Sequence, residues 1–283
     1  MKKLILFLVV IVTLSFFPAA GLICAEAKKL RIISLAPSTT EILFALGLNA
    51  EIVGVSTFCN YPPEAQAKEK IGTFSQPNIE KILFLKPDLV FCTGLEQAPA
   101  VRALEQLRIK VYVSDPANFQ DLFRSILDIG RLTQRESEAE SLVAKIKAVI
   151  GEIGARVSVV PEDRRPRVFV EIWNEPLMTA GKDSFMNELI ALAGGVNIAF
   201  DARRPYSYFN PECVIKRNPD FILLTYMVAA GNARDSLKSR LGWEKISAVK
   251  NGRIYNDISS DVLLRPGPRL AEGLRQLHKR LYE

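Results

Sequence analysis

The chain has 283 residues, of which 48% are hydrophobic and 24% charged, and its formal net charge is +6. This length and apolar content suit one large domain or two medium domains with substantial cores. The basic residues are scattered apart from short arginine runs at 164–167 and 203–204, which are typical of solvated loops, so we do not expect nucleic-acid binding.

The first 27 residues have the pattern of a secretory signal. Lys2 and Lys3 precede an apolar run over 4–17, and Ala25-Glu26-Ala27 forms an A-x-A cleavage site. The apolar run is too short to span a bilayer comfortably, although a retained membrane anchor is the alternative interpretation. The residues before Cys24 do not favour lipidation, so we expect a periplasmic or otherwise extracytoplasmic protein without a lipid anchor.

From residue 30 onward, short apolar strands alternate with helical stretches. After the first strand, Ser38 and Glu41 have the spacing of a capping box, which predicts a helix that ends at Gly47. Alternating strands and helices predict a parallel sheet covered on both faces. The strands predicted in this half are 30–35, 52–56, 88–92 and 110–113.

A long helical tract follows. Asn118 with Asp121, and Thr133 with Glu136, are capping pairs that predict two consecutive helices. Apolar residues recur at three-to-four spacing over 142–157, so the second helix is about 24 residues and roughly 36 Å long. We interpret this helix as a connection between two lobes. The predicted segments are a signal over 1–27, an N-terminal lobe over 28–132, a linker helix over 133–160 and a C-terminal lobe over 161–283.

The second half restarts the same plan, with strands predicted at 167–172, 221–225 and 253–256. A duplicated α/β unit is the simplest explanation. The predicted fold class is therefore α/β, with two Rossmann-like lobes of mostly parallel sheet joined by one long helix.

One fourteen-residue pattern occurs in both halves: NIEKILFLKPDLVF at 78–91 and NPECVIKRNPDFIL at 210–223. An asparagine caps each predicted helix, and a proline ends it. Glu80 and Glu212 then fall at the second helical position, where the helix dipole favours a negative charge. Structural roles account for every shared residue, and a functional role for the two acids is the alternative.

Aromatic residues are frequent in the loops that leave the carboxyl ends of the predicted strands, where open parallel sheets bind ligands. Some of them will pack in the core, but the segment 204–208 is predicted to have no strand and to bury its rings poorly. Facing rings from two lobes would form a flat apolar slot that suits a large planar ligand. These residues are Phe58, Tyr61, Phe74, Trp173, Tyr206, Tyr208 and Phe209.

Three cysteines follow the predicted signal, too few for a disulfide framework. Cys59 and Cys92 both come after predicted strands, so in an oxidising compartment they are candidates for a disulfide. Buried free thiols are the alternative.

Four segments resemble the periplasmic vitamin-binding proteins of cobalamin importers and, more broadly, the solute-binding family for iron–siderophores, haem and cobalamin. The likeness covers about 30–283. The segments are Arg31-Ile-Ile-Ser-Leu-Ala-Pro-Ser-Thr-Thr-Glu41, Asn60-Tyr-Pro-Pro-Glu64, Lys86-Pro-Asp-Leu-Val90 and Ala193-Gly-Gly-Val-Asn197.

The resemblance implies a helical-backbone periplasmic binding protein that holds its ligand between two lobes with small hinge motion. It implies a monomer that needs no cofactor, with cobalamin as the transported ligand. The partner it implies is a membrane permease powered by an ATP-binding cassette. In this family one acidic residue on each lobe meets permease arginines, and Glu80 and Glu212 match those positions.

Ligand-binding residues are also implied by the resemblance. Phe58, Phe74 and Tyr206 match aromatic positions of the cleft, Trp173 is a further candidate ring, and Asp261 matches an aspartate after the last main strand. Arg265 is expected either to meet an anionic ligand group or to brace Asp261. Phe74, Thr93 and Tyr206 stand where cobalamin-binding relatives can carry tryptophan, so another corrinoid or chelate remains open.

Two alternatives stay open at this stage. The first keeps the binding role but replaces the ligand by haem or a ferric siderophore. The second is an exported hydrolase, for which only carboxylate pairs such as Asp257 and Asp261 are candidates. His278 is the only histidine and is expected on a helix surface. A single histidine argues against a histidine-rich metal site, a Ser-His-Asp triad and bis-histidine haem ligation.

Overall fold

A computed structural model describes residues 29–226 and 233–283. The predicted signal segment, with Cys24, lies outside these ranges. Within them, no helix combines the length and the apolarity that a membrane span requires.

The N-terminal lobe is a parallel sheet with helices on both faces. Its strands lie in the order β2-β1-β3-β4, and all neighbours are parallel. The elements are β1 (Ile32–Ser34), α1 (Pro37–Ala45), β2 (Ile52–Val55), α2 (Ile79–Phe84), β3 (Leu89–Cys92), α3 (Ala98–Gln106), β4 (Val111–Val113) and α4 (Phe119–Thr133).

The C-terminal lobe follows α5 (Glu136–Ser158) and contains two sheets. Its further elements are β5 (Arg167–Glu171), β6 (Trp173–Asn174), β7 (Leu177–Ala180), α6 (Phe185–Leu192), β8 (Val196–Asn197), β9 (Tyr206–Tyr208), α7 (Pro211–Arg217), β10 (Phe221–Leu224), α8 (Ala233–Lys238), α9 (Ser247–Lys250), β11 (Ile254–Tyr255), α10 (Ser260–Leu264) and α11 (Leu270–Tyr282).

The two parallel sheets have the same topology. The C-terminal order is β11-β10-β5-β8, with parallel neighbours. If the strands of each parallel sheet are numbered by their order along the chain, both sheets have the spatial order second, first, third, fourth. This shared order confirms the predicted fold class and gives each lobe a switch point between its first and third strands, where doubly wound sheets bind ligands.

The helices α4 and α5 hold the lobes together. One continuous core runs from β1 through α4 and α5 to β5, α6 and α11. Gly130 allows the close approach of α4 and α5, because a Cβ atom there would lie 2.5 Å from that of Ala139. Phe119 of α4 meets Phe185 of α6 edge to face, with 4.9 Å between ring centroids. A core shared in this way favours small relative motion of the lobes.

Three local predictions differ from the structure. Ala36 is the N-cap of α1 and Pro37 starts it, so Ser38 and Glu41 form no capping box. Arg135, not Thr133, precedes α5, and the Thr133 hydroxyl instead bonds the Ile129 carbonyl at 2.7 Å.

The third difference concerns His278, which is buried rather than on a helix surface. It lies on the apolar face of α11 with Leu274 and Leu277, and its Nδ1 is 3.0 Å from the carbonyl oxygen of Ala193. By contrast, the predicted Asn118 cap of α4 is confirmed, since its side chain accepts from the Asp121 amide at 2.8 Å.

Candidate functional site

The Pro-Asp end of the repeated pattern has the same structural role in both lobes. Asp88 accepts a hydrogen bond from the Arg31 amide at 2.9 Å, and Asp220 accepts one from the Arg167 amide at 2.8 Å. The two guanidinium groups reach matched carbonyls, Arg31 that of Leu85 at 2.7 Å and Arg167 that of Arg217 at 3.2 Å. In each lobe, these hydrogen bonds connect the end of a helix to the start of the lobe's first strand. Structure therefore explains the repeated aspartates.

The repeated glutamates lie in the first helical turn, where the helix dipole favours an acid, but their carboxylates make no comparable contacts. Asn78 and Asn210 cap α2 and α7 as predicted, which places Glu80 and Glu212 at the second helical position. Both glutamates are exposed, and within the described residues neither carboxylate has a hydrogen bond or ion pair. Exposed, unpaired acids at matched positions are available to a partner.

The two acids lie toward the same edge of their sheets. Each of α2 and α7 leads into a parallel strand, so each helix starts near the carboxyl ends of the strands. That edge is the one at which ligands bind in open α/β sheets.

A cavity of about 490 Å³ lies between the lobes at this edge. Thr57, Phe58 and Asn60, which follow β2, line it from the N-terminal lobe. The C-terminal lobe contributes Tyr226 after β10, Asn256 after β11, and Asp261 and Arg265. Of the predicted ligand residues, the structure brings Phe58, Asp261 and Arg265 together here.

Arg265 is tied to its neighbours. Its guanidinium is 2.7 Å from a carboxylate oxygen of Asp261 and donates to the side-chain oxygen of Asn60 at 2.7 Å. The Asn60 amide donates in turn to Asp261 at 3.3 Å. Of the two roles considered for Arg265, the observed contacts are those of a brace for Asp261.

Glu41 joins the lobes behind this cavity. It is only 4% exposed, and Arg269 donates to its two carboxylate oxygens at 3.0 and 2.7 Å. Hydrogen bonding to Glu41 raises the pKa of Arg269 above its already high value. The Arg269 guanidinium also lies 3.9 Å from the ring centroid of Tyr61. Sequence reasoning missed this pair, because the two residues are 228 positions apart and Glu41 had a local explanation as a cap.

A second buried carboxylate was also missed. Glu171 ends β5, is fully buried, and accepts from Arg240 at 2.6 and 2.7 Å. The Tyr226 hydroxyl donates to the same carboxylate. Burial, together with this hydrogen bond, raises the pKa of Tyr226 well above its usual value, so the hydroxyl stays protonated. The contact holds the Tyr226 ring against the cavity.

The small antiparallel sheet carries an aromatic face. Trp173 on β6 lies opposite Met178 on β7, and Met178 lies opposite Tyr208 on β9. Tyr206 shares this face because it is two residues from Tyr208. The three rings are between 45% and 72% exposed, while Leu177 on the other face is buried. Tyr206 was predicted to lie outside any strand and instead lies on one, but its ring is exposed as expected.

We call this surface, formed by Trp173, Met178, Tyr206 and Tyr208, the aromatic face. The chain passes from β5 to β6 through Ile172 alone, so the face extends from the carboxyl end of the parallel sheet. Phe74 lies on the other lobe and is half-buried, and its carbonyl accepts from the Gln97 amide at 2.8 Å. It is not part of the cavity lining.

Of the two interpretations of Cys59 and Cys92, the structure shows the buried free thiols and not the disulfide. Cys59 and Cys92 are buried free thiols that belong to different core clusters, one on each side of the N-terminal sheet. The Cys59 sulfur contacts the hydroxyls of Thr40 at 3.1 Å and Ser56 at 3.2 Å. Among the residues that the structure describes, no group of histidine, cysteine or acidic side chains could hold a metal ion.

The known proteins that this chain resembles in sequence are binding proteins of one kind. The chain is 36% identical over 262 residues to an uncharacterized ABC transporter substrate-binding lipoprotein of Bacillus subtilis, a match that covers 91% of this chain and 81% of the relative. It is 30% identical over 248 residues to a vitamin B12-binding protein of Salmonella typhimurium, covering 87% and 88% of the two chains.

Solved structures agree with this result. A possible iron-binding (periplasmic solute-binding) protein of Staphylococcus epidermidis is 35% identical, with a TM-score of 0.79 and coverage of 89% and 98%. The periplasmic vitamin B12 binding protein of Vibrio cholerae is 28% identical, with a TM-score of 0.75 and coverage of 89% and 96%. A periplasmic heme-binding protein of Roseiflexus is 26% identical, with a TM-score of 0.79 and coverage of 90% and 98%. The family model for periplasmic binding proteins matches residues 32–259, and the chain belongs to that family.

Proposed function

We propose that this chain is the extracytoplasmic solute-binding protein of an ATP-binding-cassette importer and that its ligand is cobalamin or a related corrinoid. The ligand is held between the lobes and passed to the membrane permease without chemical change. Support for the importer comes from the family and from the Bacillus subtilis relative. Support for a corrinoid comes from the vitamin B12-binding relatives and from the chemistry of the cavity.

We infer the class of ligand from one observation, which is that the charged side chains of the cavity are paired with one another. Among the lining residues that the structure describes, the only cation is Arg265, and it is bonded to Asp261. Arg269 behind it is bonded to Glu41. The remaining polar lining consists of hydroxyl and amide groups such as those of Thr57, Asn60 and Asn256. Such a lining suits a ligand whose edge carries neutral hydrogen-bonding groups.

A corrinoid has this kind of edge, because its ring bears amide side chains. Haem bears two propionates, and many ferric siderophores are anionic. Burying those charges without an unpaired cation is costly. The heme-binding relative of Roseiflexus keeps haem as the alternative ligand, but the paired guanidinium groups favour the neutral chelate.

The aromatic groups would supply the apolar contacts. Phe58 lines the cavity, and the aromatic face lies on the neighbouring edge of the C-terminal lobe. A macrocycle is wide enough to engage both, with its ring against exposed aromatic surface. The ligand brings its own metal, so the protein needs no resident cofactor.

Docking would use Glu80 and Glu212. Each is an exposed, unpaired carboxylate on the ligand-binding edge of its lobe. Arginines on the permease would be steered and oriented by such charges rather than held tightly by them.

Calorimetric titration with cyanocobalamin and, separately, with haemin tests the ligand. We expect cyanocobalamin to bind at micromolar concentration or below and haemin to bind more weakly. No heat with cyanocobalamin at micromolar concentrations would overturn the corrinoid assignment, and tighter haemin binding would replace it with haem. In a transport assay, the double change Glu80→Ala and Glu212→Ala should reduce uptake and leave ligand affinity intact; a fall in affinity instead would contradict the docking role.

A further inference from the structure

The helix α2 has an exposed apolar surface beside Glu80. Leu83 and Phe84 follow Glu80 by three and four residues, so all three lie on one face of the helix. The Phe84 ring is 83% exposed and Leu83 is 41% exposed, although Ile82 of the same helix is fully buried. Within the described residues, Phe84 makes no ring contact.

The matching face of α7 is chemically different. The repeat is offset by 132 residues, so Leu83 and Phe84 correspond to Ile215 and Lys216. Ile215 is half-buried and Lys216 is exposed. The N-terminal lobe thus presents an acid beside an aromatic ring, while the C-terminal lobe presents an acid beside a base.

We propose that Leu83 and Phe84 form an apolar anchor that, with Glu80, binds a permease segment carrying a cationic side chain next to an apolar one. This inference rests on the proposed function, because it deepens the docking role of Glu80. The unpaired carboxylate selects the cation, and the exposed ring gives the adjoining apolar group a surface to bury. The contact on the N-terminal lobe therefore contributes more affinity than its counterpart on α7.

The same features argue against a lipid surface as the partner. Anionic headgroups would repel the Glu80 carboxylate, which no basic residue of α2 neutralises, because Lys81 is paired with Glu69 at 2.8 Å. A protein segment with a cationic side chain next to an apolar one can pair with the Glu80 carboxylate and cover the Phe84 ring.

Exchanging the unequal residues between the lobes tests the anchor. Phe84→Lys gives α2 the residue of α7, and Lys216→Phe gives α7 the residue of α2. Binding of purified protein is measured on membrane vesicles from the organism that produces this chain, grown with limiting corrinoid, and on vesicles of its extracted lipids. Val159→Ser is the control, because Val159 is 80% exposed and follows the end of α5.

We expect Phe84→Lys to weaken binding to native membranes about tenfold, because lysine cannot bury the apolar surface that phenylalanine would bury in the contact. Lys216→Phe should strengthen binding, and Val159→Ser should leave it unchanged. Cyanocobalamin affinity should be the same in all three variants, which also shows that they fold.

Other results separate this inference from the proposed function. If Phe84→Lys binds like the parent protein while Glu80→Gln loses binding, the anchor is wrong and the docking acids stand. If Glu80→Gln and Glu212→Gln together also bind like the parent protein, docking through these helices is wrong altogether. Equal binding to the lipid vesicles would overturn the anchor in favour of a membrane contact.

Discussion

Glu41 of the N-terminal lobe accepts two hydrogen bonds from Arg269 of the C-terminal lobe, and its carboxylate also lies 3.5 Å from the Arg265 guanidinium of the candidate cavity. The carboxylate is almost completely buried, and the guanidinium stacks on Tyr61. Charges held in this way resist separation, because each would be left desolvated without its partner. The pair therefore adds to the shared core of α4 and α5 in fixing the angle between the lobes.

Removing the Glu41 charge should destabilise the protein. Glu41→Gln leaves Arg269 partly buried without its carboxylate, and we expect the free energy of unfolding to fall by about 3 kcal/mol. Urea denaturation measures this change. Glu64→Gln is the matched control at an exposed acid of the same lobe, and its effect should stay within about 0.5 kcal/mol. Equal stability of the two variants would show that the buried pair contributes nothing.

Asp261 should control the choice between neutral and anionic ligands. Asp261→Asn removes the carboxylate that pairs with Arg265, which leaves a guanidinium in the cavity with less of its charge balanced. We expect haemin affinity to rise by about tenfold and cyanocobalamin affinity to fall, on the scale of one charge-assisted hydrogen bond. Parallel titrations with the two ligands measure both changes. A fall in both affinities would mean that Asp261 acts only through the local structure.

Local sequence patterns were sufficient for the fold but not for the contacts between lobes. Asn78 and Asn210 cap their helices as predicted, since a cap depends on groups within three residues. The parallel sheets followed from alternating strands and helices, which depend on burial of regular apolar runs, although the order of the strands was not predicted. Glu41 shows the limit, because its partner is set by how the lobes pack and no local spacing encodes that.

The aromatic residues show an intermediate case. Trp173 was predicted as a ligand residue from its position after a strand and Tyr206 from the family resemblance, and the structure places both on one exposed face. The sheet beneath them was missed, because β6 has two residues and β9 has three, too few for an alternating pattern. Tyr208 and Met178 join the face only through pairing across that sheet.

Cys92 should make stability depend on alkaline pH. Burial raises the pKa of its thiol from 9.0 to about 12, so between these values the unfolded chain releases the proton and the folded chain keeps it. The stabilisation is complete below pH 9 and is lost as the pH rises toward 12, by at most about 1.4 kcal/mol per pH unit. Unfolding free energies of the parent protein and of Cys92→Ala should therefore converge above pH 9.

The comparison of the parent protein with Cys92→Ala has an internal control at lower pH. Between pH 5 and 7 neither state ionises the thiol, so the difference between the two proteins should be constant there. Parallel curves at all pH values would show that Cys92 ionises equally in the folded and unfolded chains.

Tyr208 should contribute to ligand binding, although the sequence placed it only among the rings of the apolar slot and not among the residues matched to the family's cleft. Its ring is 72% exposed and lies on the same face as Trp173, so Tyr208→Ala removes stacking surface without leaving a cavity in the core. We expect Tyr208→Ala and Trp173→Ala each to weaken cyanocobalamin binding by roughly tenfold, with no loss of stability. Phe84→Ala is the control, since it removes an exposed ring that neither lines the cavity nor belongs to the aromatic face, and it should leave the affinity unchanged. If the two face variants bind like the control, the macrocycle is held by the cavity alone and the aromatic face has another use.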